Sequence, residues 1–124
     1  MIEDNPFAYF LDTLRANGLE AFGRYYSVYR GEVVDNQDPE EQGRILVKVP
    51  SLFGDDALPD WAWPRAGVAG DGHGVFAVPT VGSRVWVSFE AGDPKMPVYD
   101  GGWWGKPDGE NEAPEALREK DPKR

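Results

Sequence analysis

Residues 83–90 read SRVWVSFE, an alternation that sets Val85, Val87 and Phe89 on one side of an extended backbone and Arg84, Trp86, Ser88 and Glu90 on the other. The same period of two recurs in GRILVKVP, where Ile45, Val47 and Val49 alternate with Arg44, Leu46 and Lys48. YYSVYRGEVVDN, from Tyr25, is rich in aromatic and β-branched residues, and Gly31 inside it marks a bulge or sharp bend. GVFAVP, residues 74–79, reads as a short strand between a glycine-rich turn and a proline, and PVYDGGWW from Pro97 closes the series. Five short strands in about 80 residues, with turn signals between them and no strong central helix, leave a chain with many edges to protect. Closing the sheet on itself removes them.

The expected fold is therefore all-β: a small five-stranded barrel of the oligonucleotide/oligosaccharide-binding (OB) type over residues 25–105, with an N-terminal helical segment (1–24) and a polar tail (106–124). Asn5 suits a helix cap, Pro6 the first helical position and Gly18 the stop, so residues 5–17 form a short helix. Phe7, Phe10, Leu11 and Leu14 share one of its faces, which packs either on its own domain or on a partner chain. The tail, KPDGENEAPEALREKDPKR, holds Leu117 as its only large apolar residue. Such a segment cannot bury enough to order itself, and a helical turn or two from Pro114 would need a neighbour.

Length and charge narrow the function. A chain of 124 residues allows one domain and little depth for an active-site cavity. With 22 acidic against 13 basic residues the net charge of -9 opposes a phosphate backbone, and nucleic acid is not an expected partner. No apolar run approaches the ~20 residues of a membrane span, and MIEDNPFAYF is acidic where a signal peptide is basic, so no membrane anchor is expected and the chain should stay in the cell that makes it. The absence of cysteine rules out a disulfide framework and a thiolate metal site.

Candidate chemistry is sparse. His73, the only histidine, reads as a turn residue in GDGHGVF, and a Ser-His-Asp set has no other histidine to draw on. DNQDPEEQG lacks the ligand spacing and central glycine of a calcium loop and reads as a solvated turn. Glu90 and Asp93 flank a tight turn without the cleft that a glycosidase pair needs. No enzyme activity, metal or cofactor is expected. The outward faces are more informative, because Leu46 and Trp86 share theirs with charged neighbours, and an extended backbone points Trp103 and Trp104 to opposite sides. Several large apolar groups around a small barrel suggest a contact with another chain, so Leu46, Trp86, Trp103 and Trp104 are candidate interface residues, with the helix face of Phe7, Phe10, Leu11 and Leu14 beside them. The alternative is a binding module for a glycan or single-stranded nucleic acid, with Tyr25, Tyr26, Tyr29, Trp61 and Trp63 as a stacking platform.

The ordered set of turn and strand marks also resembles a known family. These are Asp38-Pro39, Gly43-Arg44 leading to a Val-rich strand ending at Pro50, Trp63-Pro64, a Gly-rich turn, Pro79 and Gly82. The strand ending Phe89-Glu90 follows, then Gly92-Asp93-Pro94, Pro97-Val98 and Gly101. Over about 80 residues the chain is similar to the N-terminal OB domain of contractile-tail spike and hub proteins: the phage baseplate hub with attached tail lysozyme, baseplate assembly protein V, and the valine-glycine repeat spike proteins of type VI secretion. The motif is architectural, since proline fixes one turn dihedral and glycine permits the positive one. The resemblance implies a homotrimer on the tail axis that connects the tail tube or baseplate hub to the spike, within a virion tail or baseplate assembled in the cytoplasm of a bacterial host. Larger members continue into a lysozyme domain or a β-helical needle, whereas 19 polar residues follow Gly105 here. The expectation is a barrel without its own needle, either served by a separate spike-tip protein or acting as an adaptor in a split hub.

Overall fold

A computed structural model describes residues 5–118. Helix α1 (Pro6–Asn17) starts where the sequence places it, with the Ala8 N–H donating to Asn5 Oδ1 at 3.2 Å, and it stops at Gly18, whose N–H donates to Leu14 O. A 3₁₀ turn (Leu19–Phe22) follows, and Phe10 packs on Phe22 with ring centroids 5.0 Å apart. The strands are β1 (Tyr29–Asp35), β2 (Leu46–Lys48), β3 (Trp63–Pro64), β4 (Ala69–Gly70), β5 (His73–Gly74), β6 (Arg84–Phe89) and β7 (Pro97–Trp103). Short helices α2 (Pro50–Phe53) and α3 (Glu115–Arg118) lie after β2 and in the tail.

Five of these strands form one sheet in the order β2-β1-β6-β7-β3, antiparallel except for the β3–β7 pair. Its two ends meet. Ile45, just before β2, exchanges both backbone hydrogen bonds with Ala62, just before β3, at 3.1 and 2.7 Å. The Tyr99 hydroxyl on β7 donates to Gly43 O at 2.7 Å across the same junction. The result is a small OB-like barrel, as the alternating segments require.

Val33, Ile45, Val47, Val49, Val85 and Val87 fill the barrel and are essentially inaccessible, with Phe89, Leu58 and Tyr99 closing it. Each fully buried aliphatic side chain contributes roughly 1.5–3 kcal/mol relative to exposure. At one end Tyr25 and Tyr29 pack against Phe89, and Tyr25 against Phe53, with centroids 5.4–5.9 Å apart.

Two expectations are corrected. Gly31 is not the bulge: the register between β1 and β2 shifts between Val33 and Asp35, with Val34 as the extra residue. Gly31 is instead buried where a Cβ would lie 2.7 Å from Val87 Cγ2 and 3.3 Å from Lys48 O, so glycine there permits a close approach of strands. GVFAVP does not form a barrel strand either. Only Gly74 of that stretch is in a strand, β5, which pairs with β4 in a two-stranded hairpin outside the barrel, and residues 75–79 lie outside any ladder. The fifth barrel strand is β3, a two-residue strand whose shortness hid it.

Candidate functional site

The outward face of β1, β6 and β7 carries a packed cluster. Arg30 lies opposite Trp86 in the β1–β6 register, and Arg84 lies opposite Trp103 in the β6–β7 register. Trp86 and Trp103 pack with centroids 6.0 Å apart, and the Arg30 guanidinium sits 4.5 Å from the Trp103 centroid and 5.6 Å from that of Trp86. Arg84 lies 5.2 Å from the Trp103 ring. Such guanidinium–indole contacts contribute about 0.5–1 kcal/mol each where solvent reaches them.

A bulge puts Trp103 there. Arg84 pairs with Trp103 but Trp86 with Asp100, so β7 spends one extra residue at Gly101–Gly102. Gly101 has φ +60°, and a Cβ on Gly102 would lie 2.9 Å from Arg84 O, so the pair GG is needed both for the turn of the backbone and for its closeness to β6. Continued alternation from the buried Tyr99 would send Trp103 inward; the added residue turns it outward onto Trp86.

The tail covers this cluster from the side. Glu112 Oε1 accepts from Arg84 Nε at 2.9 Å and from the Gly105 N–H at 2.8 Å, while the Glu112 N–H donates to Gly105 O. The Arg84 guanidinium and then the Gly105 N–H hold the Glu112 carboxyl below its ordinary pKa. The indole N–H of Trp103 is buried without an acceptor.

The expected interface residues are thus distributed over three places. Trp86 and Trp103 meet each other and are half-buried within the chain, whereas Trp104, the next residue, is 58% exposed. Leu46 is half-buried on β2, across β1 from the tryptophan pair. On α1, Phe7 is 69% exposed, Phe10 leans on Phe22, and Leu11 and Leu14 are half-buried. The arginines of the cluster and the Glu112 latch were not legible as partners, because a strand register and a tail contact 28 residues away in sequence leave no local pattern.

The Asp-Pro loop is built around one carboxylate. Asp38 Oδ1 accepts from the Glu40 N–H and Arg44 Nη2, and Oδ2 from Gln42 N–H, Arg44 N–H and Arg44 Nε, all at 2.8–3.1 Å. The Asp38 side chain is 3% exposed, so the solvated turn expected of DNQDPEEQG holds for its neighbours but not for this residue. The Arg44 guanidinium, with help from the three N–H groups and against the cost of burial, keeps the Asp38 carboxyl far below the usual carboxylate range. Arg44 in turn lies between Trp61 and Trp63, 5.8 and 5.1 Å from their centroids. Asp93 is likewise engaged in its turn, accepting from the Lys95 N–H at 2.9 Å. His73 is exposed in the β4–β5 hairpin, its Nδ1 3.1 Å from Asp71 O.

The proposed stacking platform is not assembled as one surface. Tyr25 and Tyr29 belong to the aromatic end of the core, Trp61 and Trp63 flank Arg44, and Tyr26 covers Gly92. Among the described residues, no ring pair joins the tyrosines to either tryptophan.

The pattern of the type VI secretion system/phage-baseplate injector OB domain matches residues 29–104, more than half of the chain. The chain belongs to this family. The match begins at the first residue of β1 and ends one residue beyond β7, so the injector OB domain coincides with the closed barrel. Helix α1 and the tail lie outside it. Membership makes this a baseplate- or spike-related structural component that works among other tail proteins. No described helix is long and apolar enough to cross a membrane.

Proposed function

We propose that this chain is the non-catalytic base of the central spike in a contractile injection machine, a homotrimeric adaptor that joins the tail tube or hub to a separate spike-tip protein. The observation that carries this reading is the coincidence of the family match with the whole closed barrel, whose distinctive loop residues hold turns rather than a reaction centre. Asp38 has both oxygens committed to Arg44 and the loop backbone, so it is not free to act as an acid or base, and Asp93 Oδ1 accepts from the Lys95 N–H within its own turn. A closed barrel with apolar groups left at its flanks suits a part held between other proteins.

The test is placement and mass. A tagged chain expressed in its host should be found by immunogold labelling at the baseplate end of assembled tails, and should co-purify with tube, hub or tip protein. The purified chain should show no turnover of peptidoglycan between pH 4 and 9, a span that covers carboxylate and histidine titration. Turnover abolished by Glu90→Gln, or labelling absent from assembled tails, would overturn the reading.

A further inference from the structure

Around Trp86 and Trp103 the charge of the barrel runs against the net -9 of the chain. Arg30 and Arg84 lie against the rings, and Arg65 joins Trp86, Ser88 and Asp100 in the wall of an open groove of about 530 Å³. Arg30 and Arg65 are exposed, and among the described residues neither has a carboxylate within ion-pair distance. Of the acids on the barrel beside them, Glu32 is paired with Lys48 at 3.7 Å, which leaves Asp100. Arg84 shows what this face accepts. Its Nε and the Gly105 N–H hold one carboxylate oxygen, Glu112 Oε1, at 2.9 and 2.8 Å, while Oε2 takes no hydrogen bond within the described residues. The segment that brings this carboxylate is lightly held. None of residues 106–118 is buried, and among the described residues Glu112 makes every hydrogen bond that ties them to the chain before Lys106. The Trp103 ring, 5.2 Å from the Arg84 guanidinium, has its N–H closed off from water without an acceptor, a state that favours any rearrangement supplying one.

We propose that the outward face of β1, β6 and β7 docks an acidic peptide segment of a neighbouring tail protein, and that Glu112 is its built-in competitor, filling the carboxylate position at Arg84 until the partner displaces the tail. Charge complementarity selects the occupant. A chain of net charge -9 repels an acidic segment over most of its surface and draws it only where arginines gather. Arg30 is already laid against the Trp86 and Trp103 rings, so its planar fork is positioned for a carboxylate before the partner arrives. When the tail leaves, Arg84 and the Gly105 N–H pass to one carboxylate of the partner and Arg30, one strand over, takes a second. Because Glu112 belongs to the same chain it competes at high effective concentration, and the free protein holds the face closed against weak acidic ligands. This rests on the assembly reading above and names the chemistry of one partner.

The test uses the full chain and, as probe, a fluorescein-labelled peptide of about ten alternating Glu and Ala residues, followed by fluorescence anisotropy. Glu112→Gln removes the resident charge and should bind the probe roughly tenfold more tightly than wild type. Added to Glu112→Gln, Arg30→Gln and Arg65→Gln should each weaken binding about threefold or more, whereas Arg15→Gln, the same loss of charge on α1, should leave it unchanged. The indole N–H resonance of Trp103 should move as the peptide is added, and raising NaCl from about 50 to about 500 mM should release it. A Glu112→Gln chain that fails to bind the probe at high micromolar concentration, or binds it no better than wild type, would overturn the inference. So would an Arg15→Gln effect as large as that of Arg30→Gln, or equal affinity for a peptide of alternating Gln and Ala. Tighter binding of an oligogalacturonate or a single-stranded oligonucleotide of equal charge would also overturn it, by assigning the face to a glycan or to nucleic acid. Immunogold placement at the baseplate is read on the wild-type chain and would stand in each of those cases, so failure of the acidic docking site and failure of the adaptor reading are distinguishable.

Discussion

Asp38 illustrates how one buried carboxylate can organise a loop that composition alone presents as a run of solvated acids. Its pKa in the folded chain lies below the ordinary 3.8, so as the pH falls the unfolded chain takes up the proton first. The stability it contributes is full above about pH 4 and is lost as the pH drops below that toward the folded-state value. Asp38→Asn keeps the shape but loses the charge-assisted bonds to Arg44, and should lower the melting temperature at neutral pH by roughly 5 °C. The difference between variant and wild type in urea midpoint should shrink between pH 5 and pH 2.5; a constant difference would show that the carboxylate charge is not the cause. Gly31 tests packing rather than charge. A methyl group there meets Val87 Cγ2 at 2.7 Å, and Val87 is fully buried and cannot swing away, so Gly31→Ala should destabilise by about 1–3 kcal/mol in denaturant titrations.

At the level of elements, the strands with strict alternation were legible and those defined by tertiary contacts were not. Val85, Val87 and Phe89 point inward and Arg84, Trp86 and Ser88 outward on β6, as their spacing requires, and Ile45, Val47 and Val49 line the core around β2. The stretch GVFAVP shows the opposite case, since its composition suits a strand but no edge of its own barrel is open to it, and the two-residue β3 takes the place beside β7. The double tryptophan is intermediate: adjacency indicated that at least one ring leaves the core, and both do, because the Gly101–Gly102 bulge, which adjacency does not reveal, sends Trp103 outward while Trp104 is exposed as well. That bulge, the Arg30–Trp86–Trp103 stack and the Glu112 latch act as one unit. Glu112→Gln removes the charge that faces Arg84 while retaining an acceptor. Amide exchange at Gly105 and Glu112 should then accelerate several-fold, because their hydrogen bonds close the latch, while amides of β6 keep their protection. Unchanged exchange at both positions would show that the backbone bond from Glu112 to Gly105 is sufficient without the ion pair.

For the molecule as a whole, the division of labour is between a barrel that folds on its own contacts and flanks that add few. No residue of α1 is buried, and its aromatic contact is with the 3₁₀ turn that follows it, through Phe10 and Phe22. The barrel is joined to this segment by the Tyr25 N–H to Gly92 O bond and by the Tyr29 hydroxyl donating to Glu20. Removing residues 1–18 leaves both of these in place, and removing 106–124 costs the latch but no core side chain. Each truncation should therefore shift the melting temperature by no more than a few degrees, far less than the loss expected from emptying one barrel position such as Val87. The exposed Phe7 belongs to a different account, since an amphipathic helix with a bare aromatic at its start is suited to a groove on another protein. The 1–18 truncation should fold and lose recovery of tube, hub or tip protein in pull-downs from host cells. A truncated chain that retained every tail partner would assign docking to the barrel instead, and one that failed to fold would show that α1 contributes to the core from outside it.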